Sequence, residues 1–318
     1  MPKSENSSQP KSVFYTILPI ILCGLAIPVS LFLWIGNLAF TFVTQRPFEN
    51  EEYAPIPPTR FLFSTLVPIL LMAYGLKRKG VNYSGAALGL IVAVTLSLAS
   101  YAFLACLATF FFSSSRVTKF RSHLKRKIEV DFKGDCGSGE RPIDFATQYR
   151  PSWLGVAVMS AFACCNGDTW ASEIGSVFGN TDPFLITTRK RVPRGTNGGI
   201  SIVGVIFSFL GGIVVGISYF LVIYYIVDRN ILAASPPQWP IILFGGIAGL
   251  FGSLIDSFLG ATVQYSGLDS NGRVVERAGE NVRYIAGHRI FDNHSVNLIS
   301  SILTALIMPF VAFNFWIV

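Results

Sequence analysis

The chain has 318 residues, 51% of them hydrophobic and only 14% charged, with a mean hydropathy of +0.52 and a net charge of +7. A soluble domain carries about 25% charged residues, so the composition excludes an ordinary soluble domain and points to a multi-pass helical membrane protein. The basic residues lie in loops between apolar runs, which argues against nucleic acid as a partner and for a role in topology, lipid contact or phosphate binding.

Residues 1–12 are polar and predict a disordered N-terminus; residues 13–318 read as a single integral membrane domain. The apolar run 13–35 is too long for a signal-peptide core and predicts a first membrane helix, with Pro19 and Pro28 as kink positions. A proline-rich acidic loop follows over 36–59, then a helix over 60–76. The cluster Lys77-Arg78-Lys79 marks the cytosolic side, so the N-terminus is expected in the cytosol.

Residues 84–112 are apolar, and the loop 116–150 after them is rich in Lys and Arg. Two short helices broken near residues 97–101 keep that basic loop cytosolic. The run from Trp153 meets the same conflict, because Arg189, Lys190, Arg191 and Arg194 follow it, so a break near residues 175–179 is expected. Further helices are predicted over 200–227, 239–263 and 295–318. A short outer loop covers 228–237, and cytosolic loops cover about 77–83, 116–150, 180–199 and 264–293. The fold class is an all-α polytopic membrane bundle of about 7–9 segments, some short or broken. The five cysteines (Cys23, Cys106, Cys136, Cys164, Cys165) show no zinc spacing and read as free thiols.

The stretch 166–175, Asn-Gly-Asp-Thr-Trp-Ala-Ser-Glu-Ile-Gly, adjoins the apolar run from Trp153. A carboxylate at membrane depth costs roughly 2.5 kcal/mol or more and normally has a partner and a task. On a helix Gly167, Ala171 and Gly175 form a small-residue stripe for a close neighbour, with Asp168 and Ser172 on the adjoining stripe. Asp168 and Glu173 are candidate ligands for Mg²⁺, which takes oxygen donors and bridges to phosphates. A second acidic stretch repeats the theme, with Gly252, Asp256, Gly260 and Gln264 every four residues. The plainer alternative for Asp168 is a helix cap.

The loop 187–199 leads Arg189, Lys190, Arg191 and Arg194 into Gly195-Thr196-Asn197-Gly198-Gly199 before a helix. Glycine-rich turns at helix starts admit phosphate oxygens, so Lys190, Arg191 and residues 195–199 are candidate phosphate ligands, though the Walker pattern is absent. A basic, topology-setting loop is the competing reading. Ser114 and Lys119 form a weaker candidate of the same kind. Asp292, Asn293 and Asn297 cluster at the start of the last helix, where Asp292 or Asn293 suits an N-cap and Asn297 needs a partner. Metal, cationic clamps and positioning are what phosphoryl transfer requires.

The segments at 167–175, 185–188 (Leu-Ile-Thr-Thr), 195–201 (Gly-Thr-Asn-Gly-Gly-Ile-Ser), 256–265 (Asp-Ser-Phe-Leu-Gly-Ala-Thr-Val-Gln-Tyr) and 292–297 (Asp-Asn-His-Ser-Val-Asn) resemble the transmembrane protein nineteen family, in an animal form. That family resembles the chloroplast phytyl-phosphate kinase and, more distantly, dolichol kinase and the phosphatidate cytidylyltransferases. The resemblance implies a helical membrane bundle in the endoplasmic reticulum with its site open to the cytosol. It implies Mg²⁺ on Asp168, the phosphates of CTP on Lys190, Arg191 and the 195–199 turn, and a second acidic site at Asp256. The expected activity is Mg²⁺- and CTP-dependent phosphorylation of an isoprenoid alcohol or monophosphate drawn from the bilayer. Asp168, Asp256 and Asp292 are the catalytic candidates, and Ser172, Gln264, Asn293 and Asn297 complete the polar site. A proton- or cation-coupled transporter is the alternative, since membrane carboxylates and broken helices suit both. A non-catalytic regulatory protein is the third.

Overall fold

The computed structural model describes residues 10–43, 57–77, 83–120, 140–178 and 182–316. Much of the expected basic loop 116–150 and the residues Arg78 and Lys79 lie outside them. Among the described residues, five helices are long and apolar enough to cross a membrane, and two shorter apolar helices accompany them. The chain is a polytopic helical membrane protein.

The chain divides into two compact units. The first holds α1 (Pro10–Val43), α2 (Pro58–Lys77), α3 (Tyr83–Ala99) and the first residues of α4 (Tyr101–Phe120). Here α1 packs on α2 and α2 on α3. The loop expected from residue 36 begins later, because the apolar sequence continues through Phe40 and Phe42 and carries α1 to Val43.

The expected break near residues 97–101 is present at Ser100. A buried carboxylate holds it. Glu140 accepts from the Ser100 hydroxyl and from the backbone N–H groups of Tyr101 and Ala102, so it satisfies donors that a helix start leaves open. Arg60 of α2 stands 3.5 Å from Glu140 and donates to the Ala99 carbonyl at 2.9 Å, the last carbonyl of α3. Both ends of the break are thus tied by one ion pair.

The second unit holds the rest of α4, then α5 (Tyr149–Phe178), β1 (Phe184–Leu185), β2 (Gly199–Ile200), α6 (Ile202–Ile226), α7 (Arg229–Ala234), α8 (Pro240–Val263), β3 (Ser266–Leu268), β4 (Val274–Val275), β5 (Arg283–Ala286) and α9 (Asn293–Phe315). α5 is the central helix and packs against α6, α8 and α9. α5 runs for 30 residues and ends at Phe178, within the window 175–179 where a break was expected. Gly175 itself is a contact point, since a Cβ there would lie 2.9 Å from the Cα of Gly204.

Small residues let these helices meet backbone to backbone. A Cβ on Gly167 would lie 2.6 Å from the Ser208 carbonyl and 2.8 Å from Gly249 Cα, and one on Gly245 would lie 2.7 Å from the Gly212 carbonyl. Gly212→Ala therefore pushes α6 off α8 and costs about 1–3 kcal/mol. Gly89→Ala, where nothing lies within 4 Å, is neutral or stabilises by up to about 1 kcal/mol. Paired thermal melts in detergent read the contrast, and equal melting temperatures for the two variants would deny that α6 and α8 need glycine.

The segment 264–293, expected as a plain loop, folds into the antiparallel sheet β4-β3-β5. Gly267 and Leu268 pair with both neighbours, and Ser266 pairs with Ala286 of β5. The expected outer loop 228–237 contains α7, capped by Asp228 through the N–H of Asn230 at 2.8 Å. The four described cysteines, Cys23, Cys106, Cys164 and Cys165, are free; Cys136 lies outside the described residues.

Candidate functional site

Three central helices bring the two acidic motifs together. Asp168 lies on α5 and Asp256 on α8. Ser253, one turn before Asp256, donates to Asp168 Oδ1 at 3.0 Å. Ser300 of α9 donates to Asp256 Oδ2 at 3.0 Å. With its amide nitrogen turned inward, Asn297 also donates to Asp256 Oδ2 at 3.0 Å and to the Asn293 carbonyl at 3.0 Å. Each carboxylate is therefore gripped by a neutral donor from another part of the bundle, with no cation beside it in these hydrogen bonds.

Next to this pair lies a buried amide. Asn166 accepts from the hydroxyls of Ser113 and, at 3.2 Å, Ser114 on α4, and donates to the Gly211 carbonyl of α6 at 2.8 Å. Ser114, expected on phosphate, is engaged here. Lys119 carries no description beyond its helical backbone.

Glu173 does not join Asp168. Five positions along a helix amount to about 140° of rotation, so the two carboxylates point apart. Ser172 is exposed, and its hydroxyl donates to the Thr169 carbonyl at 3.1 Å. Through Ser253 the acidic neighbour of Asp168 is Asp256, 88 positions away in sequence numbering and invisible to any local pattern. The oxygen donors are two carboxylates and two serine hydroxyls; beside them the Cys164 thiol donates to the Ser300 hydroxyl at 3.9 Å, and Asn297 turns its amide nitrogen to Asp256. The oxygen set fits Mg²⁺ completed by phosphate or water oxygens, and among the described residues no group of three or more His, Cys, Asp or Glu is present.

A little over two turns beyond Asp256, about 12 Å of helical rise, α8 ends at Gln264. There a cavity of about 410 Å³ opens among the loops. Asn197, Gln264, Asp292 and Asn293, all singled out in sequence, line it together with Ser295. So do Arg277, Arg289, Glu276, Tyr265, Ile290 and Phe291, which sequence reasoning did not select. Asp292 is the N-cap of α9: its Oδ1 accepts from the Ser295 N–H at 2.8 Å. Hydrogen bonding from Ser295 holds the Asp292 carboxyl below the ordinary carboxylate range.

The basic glycine turn is divided in its roles. Asn197 reaches the cavity, while its N–H donates to the Ser266 hydroxyl at 3.1 Å. Gly198 has φ +80° and rests on α8, where a Cβ would lie 2.5 Å from the Ser257 carbonyl. Thr196 is buried, its hydroxyl donating to Pro193 O at 2.6 Å. Gly199 donates to the Thr196 carbonyl at 3.0 Å, and Gly195 is exposed with φ +87°. Lys190 and Arg191 are exposed and do not line the cavity; Arg191 stacks over Phe184, 5.1 Å from the ring centroid. The missed serines had one signal, their i±3 spacing from Asp256 and Asn297 within apolar helices. The arginines had none, because polar loops carry many.

A family model described as "Integral membrane protein DUF92" matches residues 66–305. The chain is 34% identical to "Protein PGR" of Arabidopsis thaliana over 277 residues, covering 79% of this chain and 96% of that protein. It is 27% identical to an uncharacterized membrane protein of Methanocaldococcus jannaschii over 222 residues, covering 67% of this chain and 87% of that one. No solved structure matches.

Proposed function

The chain belongs to the DUF92 family of integral membrane proteins, and on that premise we propose that it is a membrane phosphotransferase, a Mg²⁺- and CTP-dependent kinase of an isoprenoid alcohol or monophosphate. One observation carries the reading: Asp168 of α5 is held by Ser253, one turn from Asp256 on α8, and α8 runs on to a polar, arginine-bearing cavity. Asp168 and Asp256 would hold Mg²⁺, which neutralises charge on a transferring phosphoryl group. Ser253, Ser300 and Asn297 hold the carboxylates in place by hydrogen bonds, and Asp292 fixes the start of α9 beside the cavity. An apolar acceptor reaches the carboxylates from the bilayer. In this reading the N-terminus and the polar loops face the cytosol and the membrane is that of the endoplasmic reticulum, as the likeness to animal members and to phytyl-phosphate and dolichol kinases implies.

Thermal stability of the purified protein with CTP, ATP, GTP and UTP, with and without Mg²⁺, tests it. One nucleotide stabilises only when Mg²⁺ is present, by about 2.7 kcal/mol at a hundredfold excess over Kd. No stabilisation by any nucleotide removes the kinase reading. The coupled-transporter reading then takes its place, favoured by Asp256 sitting inside a helix of spanning length, and flux in liposomes decides it.

A further inference from the structure

The cavity beyond the end of α8 has a composition that the phosphotransferase reading does not by itself explain. Two arginines, two aromatic rings and three carboxamides face one space. Arginine is a planar, always-charged donor fork matched to phosphate oxygens. Carboxamides present a donor and an acceptor side by side, as a base edge requires. Tyr265 and Phe291 offer flat apolar faces for a ring. The volume, about 410 Å³, lies in the range of small-ligand sites, about 300–1,000 Å³.

We propose that this cavity is where the nucleotide binds, with Arg277 and Arg289 taking its phosphates and Asn197, Gln264 and Asn293 reading its base. The proposal rests on the phosphotransferase reading and sharpens it: the cationic clamp is the arginine pair of the 264–293 segment, not Lys190 and Arg191. The geometry separates the two. Lys190 and Arg191 point to solvent or stack on Phe184, and Gly198 is spent on contact with α8. Only Asn197 of that turn reaches the cavity. The α9 N-terminus is not the phosphate site either, because Asp292 already occupies its Ser295 N–H. Of the two carboxylates in the lining, Asp292 is thus engaged, and Glu276 beside arginines suits a phosphate that arrives with Mg²⁺. The aromatic and amide walls distinguish a nucleotide from a bare phosphate or a lipid headgroup, which would use the arginines alone.

Equilibrium dialysis of the purified full-length protein against CTP and ATP with Mg²⁺, and separately against pyrophosphate, tests this. Arg277→Gln and Arg289→Gln each weaken nucleotide and pyrophosphate binding at least about tenfold. Arg277→Lys and Arg289→Lys recover part of it, which a folding defect would not. Asn293→Ala weakens the nucleotide and spares pyrophosphate. Arg273→Gln, on the same segment but outside the cavity, stays within twofold of wild type. Nucleotide binding that survives both Arg→Gln variants, or that follows Lys190→Ala and Arg191→Ala instead, overturns the cavity assignment and leaves the kinase reading standing. Pyrophosphate binding lost in the Arg variants without nucleotide binding in the wild type overturns both the nucleotide assignment and the kinase reading, leaving an anion site.

Discussion

Asp168→Asn lowers phosphate transfer by at least about 100-fold while the protein keeps its melting temperature to within a few degrees. The substitution is nearly isosteric, and Ser253 can still donate to the amide oxygen, so the α5–α8 contact survives. What disappears is a carboxylate charge at the site, and losing one preorganised electrostatic partner of a transition state costs about 2.7–4 kcal/mol, or 10²–10³ in rate. Asp256→Asn has an effect of the same order, and the double variant loses far less than the product of the two, because the carboxylates act as a unit. Initial rates from nucleotide to a long-chain isoprenoid alcohol or monophosphate, with melts alongside, read this out. Transfer within threefold of wild type in a folded Asp168→Asn protein takes the carboxylates out of the chemistry.

Glu140→Ala destabilises the first unit by about 3–5 kcal/mol, the usual consequence of removing one partner of a buried ion pair. The Glu140 side chain is 2% exposed and that of Arg60 5%, so water cannot easily replace the lost carboxylate. The same change strips the Ser100 hydroxyl and two backbone N–H groups at the start of α4 of their acceptor. Replacing both members by methionine recovers only part of the loss: no charge is left uncompensated, but the Ser100 hydroxyl, the two N–H groups and the Ala99 carbonyl still lack their partners. Thermal or denaturant unfolding of the single and double variants measures it. A single-variant loss under about 1 kcal/mol would show that this pair does not hold the α3–α4 break.

Glu140 also marks a limit of sequence reading. The break near residues 97–101 was legible from the conflict between an apolar run and the basic loop after it. Its cause was not, because Arg60, Ser100 and Glu140 are distant in sequence and the pair forms only when the helices pack. In α5 the same topological argument placed a break near residues 175–179, and the helix ends at Phe178, but Gly175 itself serves close approach to Gly204. A glycine in an apolar helix marks either a bend or a contact, and only its neighbours choose between them.

The residues alone determined that this is a polytopic helical membrane protein, since long apolar runs have few other fates in a bilayer or in water. They also placed Asp168 and Asp256 as the costly carboxylates and Gly167 and Gly175 as points of close helix contact. Tertiary structure decided which carboxylate meets which. It brings Asp168 to the Asp256 motif rather than to Glu173, hands each a serine from a neighbouring helix, and gathers Arg277 and Arg289 over the end of α8. The physical reason is range. Helical periodicity reports which residues share a face within a few turns, whereas which face meets which is settled by glycine contacts between helices distant in the chain.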